Sequence, residues 1–169
     1  KQFEDDIDDV IEIAIRSGIT KMFLPNISSE TTDSMIQLCE KYPENCFAMM
    51  GLHPCDVKKE TMEKELLHVE EMLEKEKFIA VGEIGLDLYW DKTTLEIQKI
   101  AFEFQVELAK KYKLPIQPVI VPNKPGLEHD FNENAFTQPG TLINSSKFDG
   151  MNSEEAIEAI GSELEKQEK

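Results

Sequence analysis

The sequence has little of what marks secreted, membrane-spanning or nucleic-acid-coating proteins. Its three cysteines, Cys39, Cys46 and Cys55, are odd in number and contain no Cys-x-x-Cys pair. That argues against a disulfide framework or a structural zinc site and favours reduced core thiols. No run approaches the roughly 18 uncharged apolar residues needed to cross a bilayer, and the start lacks an apolar stretch followed by a small-residue cleavage site. A cytoplasmic protein with no membrane partner is expected. Basic residues are scarce: 18 Lys+Arg stand against 34 Asp+Glu, a formal charge of −16. Such a balance repels phosphate backbones and excludes tight nonspecific nucleic-acid binding through a basic surface. An anionic substrate would need a local site, such as one built on metal cations. Eight glycines and eight prolines are too few for a collagen-like or low-complexity chain. There is no phosphate-cradling Gly-rich loop, no Gly-x-Ser-x-Gly and no His-Glu-x-x-His, so serine or cysteine nucleophile chemistry has no support.

What is present is 169 residues, 40% apolar and 31% charged, enough for one domain with a buried core. The chain opens at Lys1, without Met, straight into a helical pattern, and so reads as a piece of something longer. Phe3, Ile7, Val10, Ile11 and Ala14 share one helical face, with the acidic run Glu4 to Asp9 on the wet side and Ser17-Gly18 as the stop. Ile19 to Leu24, stopped by Pro25-Asn26, predicts a strand. Ser28 and Ser29 offer an N-cap to a helix carrying Met35, Leu38, Cys39 and Tyr42. The unit repeats with a strand at Cys46–Gly51, a turn at Leu52–Asp56, and a helix with Met62, Leu66, Val69 and Leu73. A third strand, Phe78 to Glu83, ends on its charge. A fourth helix carries Ile97, Ala101, Phe104 and Leu108, with Lys110-Lys111 suited to its C-terminus. A fourth strand over Leu114 to Val121 is weakened by Pro115 and Pro118.

Strands alternating with helices about every thirty residues predict right-handed βαβ units and a parallel sheet. The chain is too short to close an eight-stranded barrel, which takes roughly 200 residues or more. Past residue 117 the composition shifts. Pro122 to Gly140 has no period, and Thr141 to Asn144 is a marginal strand. Asn152 with Glu155 forms an Asx capping box for a last helix with Ile157, Ile160 and Leu164, whose tail from Glu163 is mostly charged.

Ligands of parallel α/β sheets bind beyond the carboxyl ends of the strands. Asn26, His53, Glu83 and Asp87 occupy that position. Glu83 closes a very apolar run, and burying its charge costs several kcal/mol unless a cation or strong donors compensate. A divalent metal is one such compensator, and metal-bridging carboxylates hold nucleophilic water beside phosphodiesters. The plainer readings stand alongside: Glu83 paired with a Lys or Arg, His53 and Asp87 as turn or cap residues, Asn26 bonded to its own loop. His68 falls on a solvated helix face, and His129 has no second ligand at fixed spacing. Tyr89-Trp90 can stack a base or simply pack.

Gly51-Leu52-His53-Pro54 followed by Val81-Gly82-Glu83-Ile84-Gly85-Leu86-Asp87 resembles the TatD family of metal-dependent hydrolases, from the first helix to about Pro115. Lys21 to Asn26 agrees with that family's second strand. The resemblance implies a fold of the α/β class, a partial parallel (β/α) TIM-type barrel of about four strands, continued here by a short irregular α/β tail. It implies divalent metal (Mg²⁺, Mn²⁺ or Zn²⁺) and deoxyribonuclease-like ester hydrolysis on DNA or a small phosphoester. Glu83 would be a metal ligand, with His53 and Asp87 in substrate binding. The family's His-x-His would precede Lys1, its next histidine falls where this chain reads Ile116 to Val121, and its later histidine and catalytic aspartate have no counterpart. No catalytic residue is therefore assigned.

From Ala109-Lys110-Lys111-Tyr112 through Leu114 to Val119, then Pro139 to Ser145 and Phe148 to Met151, the chain is similar to the end of the leucyl-tRNA synthetase editing domain. That resemblance implies tRNA as a partner, but the editing residues lie upstream of the matching portion. The chain thus reads as a composite: residues 1–116 a partial barrel, residues 117–169 the tail. Three functions follow: a TatD-type hydrolase that is weak or inactive as this chain, a fragment of an editing domain, or a non-catalytic chimeric or designed chain. A barrel cut after about four strands leaves open edges through which copies can oligomerise.

Overall fold

The computed structural model of the chain describes residues 5–91, 93–121, 142–152 and 155–160. Helices and strands alternate: α1 (Ile7–Arg16), β1 (Met22–Pro25), α2 (Ser29–Lys41), β2 (Cys46–Met49), α3 (Met62–Lys75), β3 (Val81–Asp87), α4 (Leu95–Tyr112) and β4 (Ile116–Val121). β1 pairs parallel with β2, with Met22 opposite Cys46, and β3 pairs parallel with β4, with Val81 opposite Ile116. A parallel bridge from Met50 to Val81 joins the two pairs. Around it Ile79 N–H donates to Ala48 O (3.0 Å) and Gly82 N–H to Met50 O (2.9 Å). The strands therefore lie in chain order, as repeated βαβ units require. Among the described residues β1 pairs only with β2, so its far side is an open edge.

The apolar stripe of α3 buries Leu66, Val69 and Leu73 as the periodicity requires. On α4 the buried stripe is rotated from the expected one. Gln98, Ala101, Phe102, Gln105, Val106, Leu108 and Ala109 face inward, whereas Phe104 is exposed and Ile97 only half-buried. The inward stripe keeps a 3.6 period, but two glutamines stand in it, because polar side chains are needed there for bonds described below. In α1 only Ile11 is buried. Its acidic side is not wholly wet, since Asp8 bonds Lys41 Nζ at the end of α2 and the hydroxyl of Tyr42 just after it.

The third strand differs from expectation. It runs Val81–Asp87, so Glu83 is its third residue and not its end. It continues because β4 stays beside it to Val121 despite Pro118. The register slips between Gly82 and Ile84, and Pro118 stands opposite Ile84, an irregularity where a missing N–H is tolerated. The approach at this point is close. A Cβ on Gly82 would lie 2.7 Å from Gln117 Cβ, and one on Gly85, whose φ is +151°, would lie 1.8 Å from the Val119 carbonyl oxygen. Both glycines are required by space, and Gly85 also by its backbone.

The marginal strand near Ile143 is a single antiparallel bridge to Ile116, closed by two 2.8 Å hydrogen bonds. A 3₁₀ turn (Ser145–Phe148) follows, and residues 155–160 are helical. The Asx capping box is present: Glu155 N–H donates to Asn152 Oδ1 (3.0 Å) and Asn152 N–H to Glu155 Oε2 (2.9 Å). Ile143, Phe148, Ala156 and Ile160 join the core cluster that holds Met50, Val81, Ile84, Phe102 and Ile116. Phe3, Glu4, the stretch Pro122 to Gly140 with His129, Thr141, and Leu164 with the charged tail lie outside the described residues.

Gly85→Ala is expected to lower stability by about 3 kcal/mol or more, since neither the space nor the backbone accepts a Cβ. Thermal unfolding would register this as a drop of roughly 6–12 °C for a chain of this size. A variant melting with the parent would show that β3 and β4 are not this close.

Candidate metal and substrate site

The turn after β2 sits at the carboxyl end of the sheet. His53 precedes a 3₁₀ turn (Pro54–Asp56), and its Nδ1 accepts the Cys55 N–H at 3.2 Å. With Nδ1 used as an acceptor, the proton of the neutral ring resides on Nε2. His53 lies within electrostatic reach of Glu83, whose carboxyl is pushed up from its ordinary value by burial. The nearby His53 and a hydrogen bond from the Gln117 side chain offset part of that push. The ion pairs among the described residues lie on the helices, and none includes Glu83. The carboxylate is half-buried, neither turned into bulk water nor tied to a Lys or Arg among the described residues.

Gln117, on β4 opposite Gly82, was not anticipated as a site residue. It is 6% exposed, and its Oε1 is buried without a hydrogen-bond partner among the described residues. An unpaired buried polar atom of this kind costs about 1–3 kcal/mol. The two prolines around it in the sequence drew attention to strand-breaking rather than to the side chain between them.

Asp87 ends β3 and is buried. Its Oδ1 accepts the Tyr89 N–H (2.9 Å) and its Oδ2 the Cys55 thiol (3.3 Å). Although Cys55 as a residue is exposed, its Sγ turns inward. Burial and the Asp87 bond push the thiol up to about 12, which leaves it protonated and unreactive at neutral pH. A small cavity of about 140 Å³ opens here between Pro54, Cys55, Asp87, Trp90 and Gln98. Trp90, at its rim, is 72% exposed and meets Tyr89 edge-to-face at 4.8 Å, so this pair is not core packing.

Two glutamines of α4, also unanticipated, hold the backbone on which these groups stand. Gln105 Oε1 accepts Leu52 N–H (2.7 Å) while its Nε2 donates to Leu52 O (3.3 Å). Gln98 Oε1 accepts Asp87 N–H (2.8 Å) while its Nε2 donates to Asp87 O (3.1 Å). The seven-residue spacing puts both on one helical face two turns apart, each satisfying both polar groups of one residue next to or within the site. Polar residues repeating on an otherwise apolar stripe were the available signal.

Asn26 is brought to the same end but is structurally spent. Its Nδ2 donates to Ser28 O (3.1 Å) and Gly51 O (3.2 Å), and its Oδ1 accepts from Thr31 Oγ1 (2.8 Å). His68 is only partly exposed, and its Nε2 lies 2.9 Å from Thr32 Oγ1, joining α3 to α2. Among the described residues no three His, Cys, Asp or Glu side chains converge as a metal-holding group. Of the expected site residues, Glu83 is the half-buried carboxylate, while both ring nitrogens of His53 are spoken for, Nδ1 as an acceptor and Nε2 by its proton.

The parallel βαβ units, with a half-buried carboxylate on β3 and the His53 turn after β2, define a protein of the α/β class. The chain belongs to the TatD-related DNase family, whose model matches residues 1–118. It is 34% identical over 116 residues to the uncharacterized metal-dependent hydrolase YabD of Bacillus subtilis, covering 69% of this chain and 45% of that protein. The crystal structure of YjjV, a TatD homologue from Escherichia coli, aligns with a TM-score of 0.62 at 34% identity, over 68% of this chain and 44% of that one. The chain thus spans less than half the length of these relatives. The leucyl-tRNA synthetase editing domain matches residues 102–165. There the leucine–tRNA ligase of Legionella pneumophila (strain Lens) is 51% identical over 59 residues, 35% of this chain and 7% of that protein. No described helix is long and apolar enough to cross a membrane.

Because burial raises the Glu83 carboxyl, the folded chain holds that proton more tightly than the unfolded one. The associated stability is complete below the unfolded value and lost as pH rises through the folded one. Urea unfolding at pH 4 and pH 7 should therefore show the parent gaining on Glu83→Gln at the lower pH. A difference independent of pH would mean a solvated carboxylate. Gln105→Leu is expected to cost about 2–4 kcal/mol in the same assay, because it strands both polar groups of Leu52. A neutral result would remove Gln105 from the supports of the His53 turn.

Proposed function

We propose that residues 1–116 carry part of a metal-dependent hydrolase site of the TatD type, on a partial (β/α) barrel of about four strands, with residues 117–169 as an appended tail. Its chemistry is hydrolysis of ester bonds, of the phosphodiester kind in DNA. The observation that carries this reading is Glu83: a half-buried carboxylate at the third position of β3, pushed up by burial, beside an imidazole and free of any Lys or Arg partner among the described residues. A carboxylate so placed is stabilised by a bound cation more than by solvent. The family match and relatives named as metal-dependent hydrolases support a divalent ion. One relative, from Edwardsiella piscicida and 30% identical over 115 residues, is named a 3′-5′ ssDNA/RNA exonuclease, which supports a single-stranded substrate.

In this reading Glu83 would help hold a divalent ion, which when bound would polarise the ester and make water a better nucleophile. His53, with Nδ1 engaged by Cys55, presents Nε2–H as a donor to an anionic oxygen of the substrate. Asp87, locked by Gln98, Tyr89 and Cys55, shapes the small cavity and keeps the rim in place. Trp90, exposed beside Tyr89, offers a face on which a base can stack. Nothing among the described residues supplies the several further ligands that a catalytic metal pair needs, so the isolated chain is expected to be weak or inactive.

Two other functions keep a specific observation each. The match over residues 102–165 favours a fragment of an editing domain acting on mischarged aminoacyl-tRNA, although it covers a small part of the ligase. The meeting of two family matches in one chain favours a non-catalytic chimera.

Incubating the chain with single-stranded DNA and Mg²⁺ or Mn²⁺ is expected to give little or no digestion above a Glu83→Ala control. Robust cleavage lost in that variant would overturn the expected inactivity and support the site. Deacylation of mischarged leucine-accepting tRNA would instead favour the editing function.

A further inference from the structure

Resting on the reading of a single-stranded nucleic-acid substrate, we propose that the cavity beside Asp87 takes one pyrimidine base and prefers cytosine, with Trp90 stacking on the ring and the Asp87 carboxylate accepting the exocyclic amine. The size of the cavity sets the first limit. At about 140 Å³ it is close to the roughly 150 Å³ that holds a benzene ring in a protein interior, so one six-membered ring enters and the two fused rings of a purine do not. The rim supplies the platform. Trp90 is 72% exposed and is braced edge-to-face by Tyr89, which leaves the indole a face for a flat partner. Stacking of this kind accepts any base, so the choice of base falls to the cavity wall.

Two polar residues of that wall are already engaged. Gln98 bonds both polar groups of Asp87 and donates to Thr94 Oγ1 (2.9 Å), and Thr94 Oγ1 donates to Asp91 O (3.1 Å). The Asp87 carboxylate is different. Among the described residues each of its oxygens accepts one hydrogen bond, Oδ1 from Tyr89 N–H and Oδ2 from the Cys55 thiol at 3.3 Å, while a carboxylate has about four acceptor sites. A thiol is a weak donor, so an amine N–H binds Oδ2 beside it or in its place. Cytosine presents an N4 amine at the edge where thymine and uracil present a carbonyl oxygen, and carboxylates accept from that amine. A carbonyl in the same place meets the carboxylate oxygen to oxygen and is repelled. Asp87 and Asp91 outweigh Lys58 in the lining, so the local charge is negative and suits a neutral base rather than a phosphate.

Trp90 is the sole tryptophan of the chain, so its fluorescence reports on this cavity directly. Titrating the full chain at low salt with single-stranded oligo-dC is expected to quench that fluorescence saturably, with oligo-dT needing about tenfold higher concentration. This comparison requires no substitution. Asp87→Asn keeps the size of the side chain and adds an amide donor, so it should reverse the order, dT then binding at least as well as dC. An equal loss for both oligonucleotides would mean that Asp87 acts only on the structure and overturns its part in base choice; thermal unfolding of the variant checks the fold. Anisotropy of a labelled oligonucleotide reads binding anywhere on the chain. Binding by anisotropy with unchanged Trp90 fluorescence, or equal quenching of the parent by dC and dT, overturns the cytosine site and leaves the single-stranded substrate standing. Failure of every oligonucleotide to bind by either measure overturns both.

Discussion

Where β3 runs beside β4, two residues have to lack side chains for the backbones to lie as close as they do, and much of the molecule is arranged around that contact. Gly85 is held at φ +151° with no room for a Cβ before the Val119 carbonyl, and Gly82 abuts Gln117. Between them the register slips, which takes Glu83 out of the regular ladder without moving it away from the sheet. Pro118, opposite Ile84, needs no N–H at this break. The same crowding buries Gln117, whose Oε1 is left without a hydrogen-bond partner among the described residues. A spacing rule imposed by van der Waals contact thus creates the electrostatic problem of the site: a carboxylate and an amide oxygen in a place that water reaches poorly.

α4 supplies the stiffness. Gln98 and Gln105 each bond both polar groups of a single residue, Asp87 at the end of β3 and Leu52 at the start of the His53 turn. Burying two amides in a helix stripe is favourable only because every polar atom they bring inside finds a partner, in addition to those they satisfy. The exposed ion pairs of the helices, such as Lys75–Glu71 and Arg16–Glu12, contribute little to stability. The charge of −16 matters in another way, since an excess of carboxylates raises the concentration of cations around the chain as a whole.

The alternation of strands and helices was legible in the sequence because its signal is the period of apolar residues, and in α3 that period is clean. The Asx box at Asn152 and Glu155 was legible for the same local reason: both partners lie within one turn. What was hidden depended on neighbours distant in sequence. The buried face of α4 could not be fixed from apolar residues alone, since two of its inward positions are glutamines whose partners lie 11 and 53 residues away. The true end of β3 was hidden because a charged residue reads as a boundary, whereas β4 carries the strand on to Asp87. His68 looked solvated among glutamates until α2 brought Thr32 against it. Of the candidate site, Glu83, His53 and Asp87 stood out in the sequence as polar groups at or beyond the expected strand ends, although Glu83 lies within β3. Gln117 was not, because its significance lies in a missing partner, which only three-dimensional packing reveals.

The stretch shared by the two family matches, residues 102–118, covers the inner face of α4 and the start of β4. Val106, Ala109 and Ile116 there belong to the common core, and Ile143, Phe148, Ala156 and Ile160 from the tail pack into it. Apolar burial is non-directional and asks only for matching volume, so a helix and strand start of this kind can accept cover from more than one kind of segment. Hydrogen bonds fix where the cover sits: Ser145 Oγ donates to Ala109 O at 3.4 Å, and Ile143 closes its bridge on Ile116. That bridge is antiparallel and takes the outer polar groups of Ile116, the first residue of β4. A further parallel strand laid along that edge would have to displace Ile143 to pair from the beginning of β4. The tail therefore competes with extension of the sheet on the β4 side, while the outer edge of β1 has no such competitor among the described residues. Any strand added to this sheet meets less resistance at β1.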